Sequence, residues 1–197
     1  MPQTVTIEVV DDRVAEASPH TSPIAHKVSS VDPNYDGAAV PITIDATATA
    51  TLTANITDND TPSVKITETG GTTKIGEGGA TDSYRAVLTS PPAADVTVTA
   101  LPDPQSDLGT AGGNPIAVNF TPDNWNVPQQ VNVQAVDDPV PQGTHSSTIA
   151  HQVTSTDPKY NQIATASVTA QVTDNDTAGL TITPASRTAT EGGGTGS

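Results

Sequence analysis

Apolar and polar residues alternate along this chain in short runs, and Gly, Pro, Asn or Asp residues bound each run. This period of two is typical of β-strands that bury one face. No run has the period of an amphipathic helix. Seven such runs lie between residues 61 and 176, and their inward positions are Val64 and Ile66; Tyr84, Ala86 and Leu88; Val96 and Val98; Ile116, Val118 and Phe120; Val131, Val133 and Ala135; Ile149, His151 and Val153; and Val168, Ala170 and Val172. Seven short strands in about 110 residues predict an all-β fold, an Ig-like antiparallel β-sandwich.

The sequence also repeats itself. Thr57-Asp58-Asn59-Asp60-Thr61 recurs identically at residues 173–177, and Ile24-Ala25-His26-Lys27-Val28 recurs with one change at residues 149–153. The order of the matching segments predicts one complete repeat at 61–176. Residues 1–60 then form the second half of a repeat, with its last three strands, and residues 177–197 begin a further repeat with its first strand. The chain is therefore predicted to be part of a tandem array.

Composition limits the partners. Lys and Arg number 7 against 22 for Asp and Glu, which gives a formal net charge of -15. Nucleic acid requires a basic surface, so it is excluded as a partner. No apolar stretch is long enough for direct membrane insertion, and no cysteine is present to form disulfides or thiolate metal sites. A strongly acidic, cysteine-free chain of β-repeats instead favours divalent cations.

The acidic residues are predicted to gather at one end of the sandwich. Strands that run alternately up and down place the loops after the first, third and fifth strands, and the exit of the seventh, at the same pole. In the complete repeat this pole holds Glu77, Asp103, Asp107, Asp137, Asp138, Asp174 and Asp176, and the corresponding acids of the N-terminal half-repeat are Asp11, Asp12, Asp58 and Asp60. Neighbouring carboxylates repel unless a cation bridges them. Oxygen-only ligands in flexible loops predict calcium rather than magnesium or zinc.

A longer pattern carries a family resemblance. It runs from Asn119-Phe120-Thr121-Pro122-Asp123-Asn124-Trp125 through the Asp137-Asp138 pair to Thr173-Asp174-Asn175-Asp176, and it resembles the Calx-beta-like repeats of large bacterial surface proteins and adhesins. The resemblance implies an Ig-like sandwich that binds calcium at one pole. It also implies ligands at Glu77, at Asp103 or Asp107, at Asp137 with Asp138, and at Asp174 with Asp176. Members rich in calcium carry further acids after the Asp-Asp pair, where this chain has residues 139–143 without any.

Three functions are compatible with these features, and none is catalytic, because no motif of a nucleophile, metal hydrolase or phosphate loop occurs. The first is a calcium-stiffened spacer of an extracellular surface protein, in which neighbouring repeats are partners. The second is a subunit of an extracellular filament, completed by strands from neighbouring subunits. The third is a carbohydrate-binding module, for which Trp125 is the one candidate platform. Only three residues separate Asp60 from Val64, so adjacent repeats are predicted to abut, with calcium at their junction.

Overall fold

The computed structural model describes residues 4–26, 28–35, 43–44, 47–48 and 51–181. Within these residues the regular structure is β-strand apart from one short 3-10 turn, Thr69–Gly71. No helix there has the length and apolar character that crossing a bilayer requires. The strands are β1 (His20–Ala25), β2 (Thr43–Ile44), β3 (Thr47–Ala48), β4 (Thr51–Ile56), β5 (Val64–Glu68), β6 (Lys74–Gly76), β7 (Thr81–Leu88), β8 (Val96–Pro102), β9 (Ser106–Asp107), β10 (Ile116–Phe120), β11 (Gln129–Ala135), β12 (His145–Ser155) and β13 (Val168–Thr173).

Strands β5 to β13 form two facing sheets. One sheet has the order β5-β7-β11-β9, and the other has the order β10-β8-β12-β13-β6. All neighbours are antiparallel except β13 and β6, which are parallel. The prediction of an all-β, Ig-like sandwich is confirmed, and the seven predicted strands correspond to β5, β7, β8, β10, β11, β12 and β13. The tandem array remains a prediction.

The core lies between the two sheets and follows the alternation seen in the sequence. Along β13, Val168, Ala170 and Val172 are each 0% exposed, while the residues between them face solvent. Tyr84 and Phe120 are the largest aromatic contributions from the facing sheets, and both are fully buried. Burial of apolar area is the main favourable contribution to folding. The complete repeat therefore has a core of its own.

The first strand of the complete repeat is divided between the two sheets, which the sequence pattern did not predict. β5 pairs with β7 in one sheet, and β6 crosses to pair with β13 in the other. The crossing uses Gly70 and Gly71, which have φ angles of 69° and 84°, a region that favours glycine. The Glu68 carboxylate holds the crossing by accepting hydrogen bonds from the Thr73 amide at 2.7 Å and its hydroxyl at 2.8 Å. As a result, the residue after β6 lies beside the exit of β13.

The N-terminal half-repeat is more open. β1 pairs with β4, which matches two of its three predicted strands, and β2 with β3 forms a small unpredicted hairpin. The third predicted strand, which would correspond to the run of Val131, Val133 and Ala135, is not formed in the described residues before β1. Its counterpart β11 pairs with β7 and β9, and the described part of the half-repeat contains no counterpart of either. Residues 182–197, which hold most of the predicted strand at 177–197, lie outside the described residues.

His151 occupies an inward position of β12 and is held at both ring nitrogens. Nδ1 lies 2.7 Å from the Ala166 carbonyl oxygen, and Nε2 lies 2.9 Å from the Tyr84 hydroxyl. The carbonyl can only accept, so Nδ1 carries the proton and Nε2 accepts from Tyr84. Burial lowers the pKa of His151, which marks a neutral structural histidine.

Acid should therefore destabilise the complete repeat through His151. The unfolded chain binds a proton near pH 6.5, while the folded chain resists it, so stability is lost as the pH falls below 6.5 through the lowered pKa. We expect His151→Gln to reduce this loss, as measured by melting temperature across that range. The control is His26→Gln, a substitution at an exposed position outside the complete repeat. An unchanged dependence in His151→Gln would contradict this assignment.

Candidate metal centre

Three of the predicted acids meet at one pole of the sandwich. Glu77 follows β6, and Asp174 and Asp176 follow β13. Each offers a carboxylate oxygen, and the three oxygens lie within 4.8 Å of one another. Two oxygens bound to one calcium ion at about 2.4 Å can be no more than about 4.8 Å apart. The spacing of these carboxylates therefore fits a single calcium ion.

The surroundings of these oxygens are unusual for carboxylates. Glu77 is only 6% exposed. Both of its carboxylate oxygens, and Oδ2 of Asp176, are buried and accept no hydrogen bond from the described residues. Burying a charged group is unfavourable unless it is paired or coordinates a metal. Glu77 and Asp176 thus contribute buried carboxylate oxygens that have no donor among the described residues, whereas Asp174 accepts backbone hydrogen bonds.

The unfavourable burial of these carboxylates changes their pKa values. Burial raises the pKa of Glu77, and the adjacent Asp174 charge raises it further. Burial also raises the pKa of Asp176, with added repulsion from Asp174, Asp137 and Asp138. The pKa of Asp174 moves the other way, because backbone amides, first that of Asp176, stabilise its charge. The negative charge of Asp174 is thus stabilised by the protein itself. The charges of Glu77 and Asp176 are not, and a bound cation would stabilise them.

The backbone brings Glu77 to this place. Its amide donates to the Thr173 carbonyl at 3.0 Å, which continues the β6–β13 pairing, and Gly79 closes a tight turn by donating to Gly76. Gly78 has a φ of 68°, and a Cβ there would lie 2.9 Å from Nδ2 of Asn175. Glycine at 78 is therefore required by both the turn and the close approach.

Asn175 ties three loops together, a role that the sequence analysis missed. Its Nδ2 lies 3.2 Å from the Glu77 carbonyl and 3.3 Å from Oδ1 of Asp137. The loop from residue 137 to 144 is also bound by Asp174, whose Oδ2 accepts from the amides of Gln142 and, at 2.6 Å, of Gly143. The recurrence of Asp-Asn-Asp in both copies was the available signal for Asn175.

The other predicted acids of the complete repeat have different places. Asp137 and Asp138 lie at the edge of the cluster, where they contribute charge to Asp176. Asp103 accepts from the Thr148 amide at 2.7 Å and from the Gln105 amide at 3.0 Å. Asp107 caps its own turn at Gly109, Thr110 and Ala111, and accepts from Gln134. The structure therefore brings Glu77, Asp174 and Asp176 together and leaves Asp103 and Asp107 outside the group.

The N-terminal copy repeats part of this arrangement. Asp58 accepts from the Glu16 amide at 2.6 Å and from the Asp60 amide at 3.0 Å. Nδ2 of Asn59 lies 3.3 Å from Oδ1 of Asp11, as Asn175 does from Asp137. Burial raises the pKa of Asp60, and the charges of Asp58, Asp11 and Asp12 add to the effect. The described residues of this copy provide no counterpart of Glu77.

The N-terminal acids lie next to the junction with the complete repeat. Ala15, in the loop that Asp58 holds through Glu16, is 5% exposed. Its amide donates to Oγ of Ser90 at 3.0 Å, and its carbonyl accepts from Nζ of Lys159. The Ser90 amide donates to the buried Tyr160 hydroxyl at 3.2 Å, and this hydroxyl donates to the Ser90 carbonyl. The two repeats therefore abut through specific contacts.

Trp125 is part of the complete repeat rather than a free platform. Its side chain is partly buried and packs against the core, and its carbonyl accepts from the Leu88 amide at 3.1 Å. Trp125 therefore anchors its loop to the core, and the carbohydrate-binding function stays a prediction.

Comparison with solved structures finds calcium-binding domains of Calx. The apo-form Calx CBD1 domain matches at 16% identity and a TM-score of 0.39, over 57% of this chain and 98% of that one. The two-domain CBD12 structures match at 17% identity with a TM-score of 0.40 (CALX1.2) and at 18% with 0.41 (CALX1.1). They cover 56% and 58% of this chain, and the chain spans about half of their length, 45% and 48%. No family model and no curated protein matches the chain.

Proposed function

We propose that this chain is a calcium-binding structural segment of an extracellular surface protein, in which calcium stiffens the joints between repeats. The observation that carries the proposal is the group formed by Glu77, Asp174 and Asp176, in which both carboxylate oxygens of Glu77 and Oδ2 of Asp176 are buried and accept no hydrogen bond from the described residues. Such a group is unfavourable by itself and favourable around a divalent cation. The residues at its edge, Asp137 and Asp138, add negative charge that attracts the ion.

Calcium suits these ligands better than other common metals. All ligands are oxygens, whereas zinc prefers histidine and cysteine. Magnesium requires near-octahedral geometry and keeps several waters, which a cradle shaped by three loops supports poorly. We expect a modest Kd of about 10⁻⁴–10⁻³ M, the range of extracellular modules, because residues 139–143 contribute no further carboxylate.

The position of the acids at the junction supports the spacer role. Asp58 holds the loop that carries Ala15, and Ala15 contacts the next repeat at Ser90 and Lys159. A cation at Asp58 and Asp60 would neutralise the repulsion around that loop and fix it in place. The joint would then be rigid in extracellular calcium and looser without it.

Calorimetric titration of the whole chain with calcium tests the proposal. We expect Glu77→Gln to weaken binding at the complete repeat at least about tenfold, because one carboxylate of the group is lost. Asp123→Asn is the matched control, since it removes one exposed charge far from the group, and its affinity should equal that of the wild type. No heat of binding in millimolar calcium, or equal affinities for Glu77→Gln and wild type, would overturn the proposal.

A further inference from the structure

The complete repeat binds one residue of the N-terminal acidic loop by its backbone. Among residues 11–19, Ala15 is buried, at 5% exposed, whereas the other residues are exposed. Its amide donates to Oγ of Ser90 at 3.0 Å, and its carbonyl accepts from Nζ of Lys159. Both backbone polar groups of Ala15 are therefore bound by the complete repeat, and neither is bound by another residue of 11–19.

The socket for Ala15 consists of Ser90, Lys159 and Tyr160, and bonds inside the complete repeat hold it in place. Ser90 is 1% exposed and is bound at its amide and its carbonyl by the buried Tyr160 hydroxyl. The buried Asp157 carboxylate accepts from the Lys159 amide at 2.9 Å and from the Ala93 amide at 2.7 Å. It thereby joins the turn that carries Lys159 to the segment that carries Ser90. The acceptor and the donor are thus preorganised, which lowers the entropic cost of binding.

The equivalent turn of the N-terminal copy lacks the donor. Oδ1 of Asp32 accepts from the Asn34 amide at 3.0 Å, as Oδ1 of Asp157 accepts from the Lys159 amide. Asn34 therefore stands in the place of Lys159, but its side chain donates back to Oδ1 of Asp32 at 2.9 Å. This amide is shorter than a lysine and is bound to its own turn. The lysine donor is thus a feature of the complete repeat and not a general feature of the turn.

The complete repeat has its own version of the acidic loop, and it differs at the position that the socket binds. In each copy the first carboxylate of the Asp-Asn-Asp segment accepts from a loop amide, that of Glu16 at 2.6 Å in one and that of Gln142 in the other. The residues one position earlier, Ala15 and Pro141, are therefore equivalent. Proline has no amide hydrogen, so a loop of this second kind cannot donate to the Ser90 hydroxyl.

We propose that the socket selects the repeat that docks on it by the backbone of one loop residue. It accepts an acidic loop whose residue at the position of Ala15 is small and has an amide hydrogen, and it rejects a loop with proline there. The side chain must be small because the position is enclosed, and added atoms in an enclosed position force their neighbours apart. Ala15 and Lys159 then determine which kind of repeat fits this joint, and a joint made by residues 137–143 must use other contacts.

Spin-label distance measurements in the full chain test this selection. The chain has no cysteine, so Thr21→Cys on β1 and Thr169→Cys on β13 place one label on each side of the joint, both at exposed positions. In calcium this labelled parent should give a narrow distribution of distances between the labels. Adding Ala15→Pro should replace it by a broad distribution, because the donor to Ser90 is lost. Ala15→Ser, which stays small and keeps the amide hydrogen, should retain the narrow distribution.

A matched pair of substitutions tests the requirement for a small side chain. Ala15→Leu should broaden the distribution, because the position is enclosed, whereas Ala17→Leu changes an exposed position of the same loop and should not. Lys159→Met keeps the aliphatic stem without the donor and should also broaden the distribution. Urea unfolding followed by Trp125 fluorescence should show that the complete repeat stays folded in every variant, which separates loss of the joint from loss of the fold.

The same measurements separate the socket from the proposed calcium function. A broad distribution for the labelled parent in calcium, a narrow one for Ala15→Pro, or equal broadening by Ala15→Leu and Ala17→Leu would overturn the selection by the socket. If the parent is equally narrow in calcium and in chelator while Ala15→Pro is broad, the socket stands and the stiffening of this joint by calcium fails. If the parent is narrow in calcium alone and Ala15→Pro behaves in the same way, the socket fails and the stiffening stands.

Discussion

Replacing Ile149 by alanine should lower the free energy of unfolding of the complete repeat by about 2–5 kcal/mol. Ile149 is 0% exposed and lies at the centre of β12, between β8 and β13. Its removal leaves a cavity that the close-packed strands on both sides cannot fill. Urea unfolding followed by the fluorescence of Trp125, the chain's single tryptophan, measures this loss in the complete repeat.

Ile24 provides a matched comparison in the same sequence context. It occupies the equivalent position of β1 but is only partly buried. In dilute solution, Ile24→Ala should change the same transition by no more than about 0.5 kcal/mol. Losses of similar size for the two variants would mean that both copies share one closed core, contrary to the structure.

Calcium should give the second large effect. About 10 mM calcium is roughly 10–100 times the expected Kd, and binding to the folded state alone then stabilises it by about 1.4–2.7 kcal/mol. For a chain of this size the melting temperature should rise by about 3–10 °C. Differential scanning calorimetry in calcium and in chelator measures the shift.

Glu77→Gln distinguishes a metal site from a general salt effect. In chelator the variant should melt higher than the wild type, because both carboxylate oxygens of Glu77 are buried without a donor among the described residues, and an unpaired buried charge is unfavourable. Calcium should raise the melting temperature of the variant much less than that of the wild type. Asp123→Asn should follow the wild type in both conditions. If the wild type melts at the same temperature in calcium and in chelator, the metal site is contradicted, and the acidic residues are ordinary solvated residues of turns.

Much of the fold could be predicted from local patterning. The alternation of Tyr84, Ala86 and Leu88 fixes both the strand and its buried face, because side chains on a strand point alternately to the two sides. The crossing of the first strand into the second sheet could not be found in this way. Lys74–Gly76 is only three residues long, and its parallel pairing with β13 joins positions about one hundred residues apart. Only the assembled sheets determine such a contact.

The candidate site was predicted as a set of acids, and the sequence alone could not divide the set. Asp107 and Asp174 both precede short turns, yet Oδ1 of Asp107 accepts hydrogen bonds from its own turn, whereas Asp174 lies beside Glu77. Aspartate readily accepts hydrogen bonds from nearby backbone amides, so its presence in a loop does not distinguish a cap from a ligand. Asn175 was missed for the opposite reason, since its amide binds two other loops rather than an ion.

The parallel pairing of β6 with β13 has a mechanical consequence for a chain held at both ends. Tension enters the complete repeat through β5 and β6 and leaves through β13, so the two strands are pulled in opposite directions along a shared ladder. The Gln171–Thr73 and Glu77–Thr173 hydrogen bonds are then loaded in shear at the same time, instead of being peeled apart one after another. An ion held between Glu77 and Asp174 would lie at the end of this ladder and act as a clasp against the same pull.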